Sequence, residues 1–154
     1  MFPNERWLLA SAGGSHLWAV DAALGQRRKS LVVGRTAIRG QWLPCCADDR
    51  GCHVVDLERQ SGRCQLVVAY EYLAQSRGAQ YRWQQCRAHG PPPRHAVVVG
   101  HTTQGLRLSI GRRTTGNSSA LGLVVLPRTT RVLPRMMSCD GDHGIVVFER
   151  NFRV

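Results

Sequence analysis

Lysine is all but missing from this chain: twenty of its 21 basic residues are arginine, and Lys29 is the sole lysine. Acidic residues are also few, ten in 154, which leaves a formal net charge of +11. Aromatics reach only 6% against 43% hydrophobic residues, so valine and leucine must fill most of any interior. Such residues favour pleated sheet, and little helix is expected. No apolar run approaches the roughly 20 residues that span a bilayer. The start, Met1-Phe-Pro-Asn-Glu-Arg-Trp-Leu-Leu-Ala10, places Glu5 and Arg6 before a short apolar run, unlike a secretory leader. These shortages argue against a helical membrane protein. They predict a soluble chain of the reducing cytoplasm, with release that needs no signal peptide as the other route.

What the chain does have is an internal echo. Ala96-Val-Val-Val-Gly-His-Thr-Thr-Gln-Gly-Leu-Arg-Leu-Ser-Ile-Gly-Arg112 overlays residues 19–35 without a gap, 77 positions earlier. Five of the seventeen positions are identical: Ala19/Ala96, Val20/Val97, Leu31/Leu108, Gly34/Gly111 and Arg35/Arg112. Chance would give about one. Trp7 and Trp83 recur at an offset of 76, and Val67-Val-Ala-Tyr-Glu71 and Ile145-Val-Val-Phe-Glu149 at 78. Two tandem units, 1–80 and 81–154, sharing one compact domain are therefore expected. The first carries ten basic and seven acidic residues (+3), the second eleven and three (+8), so an anion-seeking face belongs mainly to the second.

Leu106, Leu108 and Ile110 alternate with Arg107 and Ser109, the period of a strand with one buried face. Short apolar stretches at 43–46, 53–57, 121–124 and 130–133, split by glycine turns, extend that pattern to an all-β domain of antiparallel sheets. Arg35 and Arg112 fall in phase with the buried face, so each needs an acceptor there. The repeated glutamates Glu71 and Glu149 are the expected partners, with a ligand contact as the other reading.

Other constellations are weaker. Cys45-Cys46, Cys52-His53 and Cys64 group thiols with an imidazole, but the spacing fits no zinc knuckle, and no cysteine of the six recurs at the repeat offset. Free, half-buried thiols are expected, with no metal and no cofactor. Gly100-x4-Gly105 lacks the lysine and the helix of a phosphate loop. No nucleophile elbow is present, which disfavours an enzyme. Asn117-Ser-Ser is a glycosylation triplet, relevant only outside the cell. The polar turn bearing His101, Thr102, Thr103 and Gln104, with Arg28 and Lys29 in the first copy, sits where loops carry binding groups.

With these landmarks in place, the chain resembles the DM9 repeat family. The second unit has Ala96-Val97, Gly100, Gly105, Ile110-Gly-Arg112, Leu121-Gly-Leu-Val124 and Val147-Phe-Glu149. The first has Ala19-Val20, Val33-Gly-Arg35, Trp42-Leu-Pro44 and Tyr70-Glu-Tyr-Leu73. The resemblance implies an all-β protein of two intertwined repeats about a pseudo-twofold axis. It also implies a non-enzymatic, carbohydrate-recognising role, often mannose-type, in innate immunity or parasite response. In the family an acid and a lysine hold sugar hydroxyls. Here the turn acids are Thr102 and Gln104, or Gly25 and Arg27, and the lysine position falls on Cys46 and Leu123. The ligand-binding residues expected are Arg35, Arg112, His101 and Gln104, at clefts between the repeats. The partners expected are a glycan and a second copy of the chain as a homodimer. The alternative is a degenerate scaffold whose basic second unit binds nucleic acid, acidic lipid or sulfated glycan.

Overall fold

The structure, a computed structural model, describes residues 5–10, 16, 18–20, 32–55, 64–76, 81–84, 96–115, 118–126, 135–139, 146–149 and 153. The turns expected at 12–15, 25–29, 60–62 and 90–93, the strand at 130–133, Asn117 and Cys86 lie outside these residues.

Among the described residues every regular element is a strand: β1 (Arg6–Ala10), β2 (Val32–Ile38), β3 (Gln41–Ala47), β4 (Cys52–Val54), β5 (Gln65–Val67), β6 (Tyr70–Ala74), β7 (Gly100–His101), β8 (Arg107–Thr115), β9 (Ser118–Leu126), β10 (Arg135–Cys139) and β11 (Val146–Glu149). No helix is long and apolar enough to cross a membrane. Two antiparallel sheets form, in the orders β1-β6-β2-β3-β4-β5 and β11-β10-β9-β8-β7. The all-β, antiparallel architecture is the one expected from the alternating, glycine-punctuated sequence.

The hairpins β2–β3 and β8–β9 have the same register once 77 is added to each number. Val32 faces Ala47 as Ser109 faces Val124, and Arg35 faces Pro44 as Arg112 faces Leu121. Beyond the hairpins the spacing changes. Cys52 faces Ala47 while Met136 faces Val124, an offset of 84. Glu71 faces Arg35 while Arg153 faces Arg112, an offset of 82. The extra residues thus enter after β9, a length change that a gapless overlay does not see.

Packing follows the same correspondence. A side chain at Gly34 would stand 2.5 Å from the Cys52 sulfur and 2.9 Å from that of Cys45. At Gly111 it would stand 2.6 Å from Val124 Cγ2 and 2.8 Å from the Met136 sulfur. Each glycine therefore makes room for a neighbouring strand's side chains. Where the two sheets meet, Val33 and Ile110, Val20 and Val97, and Trp7 and Trp83 share one apolar cluster with Leu73, Val99 and Leu121.

Three expectations need correction. The cysteines at 45, 52, 64 and 139 are not free thiols but form the disulfides Cys45–Cys52 and Cys64–Cys139. Only the first closes a local hairpin; the second ties the end of β10 to the entry of β5, from one sheet to the other. The closing stretch 67–71 is two strands, β5 and β6, parted at Val68-Ala69. Ser109, read as facing solvent, is 1% exposed, because both faces of β8 are covered. Its hydroxyl donates to the Val97 carbonyl at 2.6 Å, which offsets the cost of burial.

The short strand β7 fastens the second sheet to the first. Gln41 Nε2 donates to the His101 carbonyl at 2.6 Å, and Gly100 lies against the Trp42 backbone. A methyl group at Gly100 would collide with the Trp42 carbonyl oxygen, which cannot yield as a flexible side chain can. Gly100→Ala is expected to lower unfolding free energy by about 2 kcal/mol, as overpacking does, a loss measurable by urea denaturation.

Candidate functional site

Four adjacent strands of the first sheet bring a row of side chains together. Leu9 of β1 faces Glu71 of β6, Glu71 faces Arg35 of β2, and Arg35 faces Pro44 of β3. Trp7 and Trp42, each two residues along its strand from that row, project from the same face. The Arg35 guanidinium consequently lies between two indoles, 4.5 Å from the Trp7 ring centroid and 4.4 Å from that of Trp42. Its Nε donates to Glu71 Oε1 at 2.7 Å, and its Nη2 lies 2.6 Å from the same oxygen.

Glu5 adds a second carboxyl near Arg35; burial raises its pKa, and the Arg35 charge pulls it back. Trp42 keeps 38% of its surface exposed and Leu9 80%, so the row is open at both ends. An exposed indole flanked by a fixed cation and a carboxylate can stack on an apolar ring face while donating to and accepting from its hydroxyls.

The turn expected to bind ligand borders this row through Trp42 and Gln41. His101 is exposed, and its carbonyl is held by Gln41. Gln104 lies on the exposed turn that follows, which is closed by Thr102 N–H to the Leu106 carbonyl at 2.8 Å and Gly105 N–H to the Thr102 carbonyl at 2.9 Å. Of the four residues expected, the structure thus gathers Arg35 and His101 around the β2–β3 hairpin, with Gln104 just beyond.

Arg112 belongs to a different place. It is 8% exposed and its guanidinium lies 5.3 Å from the Trp83 ring centroid, as Arg35 lies over Trp7. Its expected partner Glu149 is not opposite it. Glu149 faces Met136 on the far strand of the second sheet, three strands from β8. The residue that faces Arg112 is Arg153, the two exchanging backbone hydrogen bonds of 2.7 and 2.9 Å. Aromatic-Glu follows a valine run at both 70–71 and 148–149, but register places Arg153, not Glu149, opposite Arg112.

Trp42 was legible only as part of a motif. The signal that it belongs with Arg35 is its place two residues before Pro44, across the hairpin from the arginine's strand. At the positions of the family's lysine, Leu123 is 1% exposed and cannot reach a ligand. Cys46 is the free cysteine among the described residues; burial first, then the Asp48 charge, pushes its thiol up to about 12. Burial thus keeps that thiol protonated, and so weakly nucleophilic, at neutral pH.

A separate polar cluster closes the β3–β4 turn. Asp48 accepts from the Arg50 N–H at 2.9 Å and pairs with His53 Nε2 at 2.8 Å. Burial works to raise the Asp48 pKa, but the hydrogen bonds from Arg50 and His53, with their charges, outweigh it and hold the carboxyl below its ordinary value. A depressed carboxyl stabilises the fold above its unfolded pKa of about 4 and ceases to as pH falls through its lower folded value. Asp48→Asn should therefore unfold more readily than the parent at pH 7, by about 1 kcal/mol, and the two should converge as pH falls through the lowered folded value in acid titrations followed by circular dichroism. Glu71→Ala, which strands the Arg35 guanidinium, is expected to cost about 2 kcal/mol in chemical denaturation.

The comparison with curated proteins gives no match. The family profile of the DM9 repeat matches residues 25–135, well over half of the chain and including β2 through β9. The stretch so matched contains both Gly-Arg strands and both hairpins that share a register. By that match, and with the all-β fold in agreement, the chain belongs to the DM9 repeat family.

Proposed function

We propose that this protein is a non-enzymatic carbohydrate-recognition protein, lectin-like and of mannose type, acting in innate immunity or the response to parasites. In this reading residues 1–80 and 81–154 are two DM9-type units. The supporting observation is the open row of Trp42, Arg35 and Glu71 beside the His101 turn. A pyranose presents an apolar face and vicinal hydroxyls, and a site for it needs an exposed aromatic surface with a donor and an acceptor on rigid strands. Trp42 supplies the surface, Arg35 and Glu71 the fixed donor and acceptor, and His101 and Gln104 the adjustable rim. Arg112 is too buried to take the same role. Two disulfides suit an oxidising space, so release from the cell fits this role better than residence in the cytoplasm.

Calorimetry with mannotriose and a neutral glycan array provide the test. Trp42→Ala should weaken binding at least about tenfold, equivalent to roughly 1.4 kcal/mol, with its unfolding midpoint little changed, because Trp42 is part-exposed. Failure of the parent protein to bind any neutral sugar would reject the reading. The second reading, capture of anionic partners by the second unit, draws on one observation: Arg153 facing Arg112.

A further inference from the structure

The row on the first sheet is longer than one sugar needs. Leu9, Glu71, Arg35 and Pro44 stand side by side on β1, β6, β2 and β3, each directly opposite the next. Directly paired residues of antiparallel strands project from one face, and adjacent strands lie about 4.8 Å apart. The steps from β1 to β3 thus give the row a length of about 14 Å. A pyranose ring is about as wide as one strand spacing, so a single ring covers only part of it.

The two ends of the row are apolar and its middle is polar. At the β3 end the exposed side chain is Trp42, two residues from Pro44 on the same face. Ala37, directly opposite Trp42, is itself exposed and carries only a methyl group, which leaves the indole a low neighbour on β2. At the β1 end Leu9, 80% exposed, contributes little to the interior. Its neighbour Leu8, on the other face of the strand, is the one packed against the core. Between the ends the Arg35 and Glu71 side chains keep 23% and 27% of their surface, and they bind each other. Their charges cancel within the row, so it offers hydrogen-bonding groups without a net charge. That pattern disfavours a strongly charged ligand and fits a chain of neutral, hydroxyl-bearing rings.

We propose that the row is an extended site for a linear neutral oligosaccharide, bound across the strands through three consecutive sugars. One sugar stacks on Trp42 beside Ala37, the next sets its hydroxyls against Arg35 and Glu71, and the third lays its apolar face on Leu9. A chain lying this way is recognised by its interior residues as well as by its end, since the row is open beyond both Trp42 and Leu9. Leu9 is then the residue that sets the length of glycan bound. The proposal rests on the carbohydrate reading above and adds to it the size of the ligand.

The full-length, oxidised protein is titrated calorimetrically with methyl mannoside and with linear mannotriose. The parent should bind mannotriose at least about tenfold more tightly, beyond the statistical gain of offering three sugars in place of one. In Leu9→Ser the ratio of the two affinities should fall close to that statistical gain, with the melting temperature unchanged because Leu9 lies mostly in solvent. Leu9→Met, which restores an apolar surface, should keep the parent ratio. Equal affinity for the two sugars in the parent, or a ratio in Leu9→Ser that matches the parent's, overturns the proposal and leaves the sugar site itself standing. Failure of both sugars to bind removes the carbohydrate reading and this proposal together.

Discussion

A half-buried guanidinium held against the face of a sheet is the constraint around which this molecule is arranged. Arg35 cannot leave the face it shares with Val33 and Leu73, so its charge must be met where it stands. Glu71 meets it from the neighbouring strand and two indoles cover its faces. That solution fixes which strands adjoin: β6 must lie between β1 and β2, and the β2–β3 turn must bring Trp42 back over the arginine. The open row on the first sheet is a by-product of satisfying one half-buried charge.

The second sheet keeps the hairpin and the indole but sets a different residue opposite the arginine. Arg153 stands opposite Arg112 where Glu71 stands opposite Arg35, so a cationic residue occupies a register position that a carboxylate holds in the first sheet. The uneven charge of the two halves, +3 and +8, has this as one of its structural expressions.

The hairpins were legible in the sequence because Gly-Arg at the end of an alternating strand leaves a rigid imprint: the glycine yields to side chains of the adjacent strand and the arginine needs a fixed environment. Trp7 and Trp83 were legible for the same reason, each lying beneath one of those arginines. The Arg112 partner was not. Finding it required the length added after β9, and a stretch with only apolar and polar classes to match gives no measure of that length. The disulfides were hidden because the second unit uses Met136 and Gly122 where the first uses Cys52 and Cys45. A sulfur still packs over each glycine, but only one pair of positions can be oxidised. Ser109 illustrates the last gap: a polar residue on a strand reads as outward until the layer behind it supplies a carbonyl.

The bond between Cys64 and Cys139 joins the edge of one sheet to the other across 75 residues of chain. Its consequence is topological. The halves cannot be exchanged between two molecules, as duplicated modules otherwise tend to be, without first breaking a covalent bond. A protease that severs the chain between Cys64 and Cys139 would release neither part, leaving both in one covalent body.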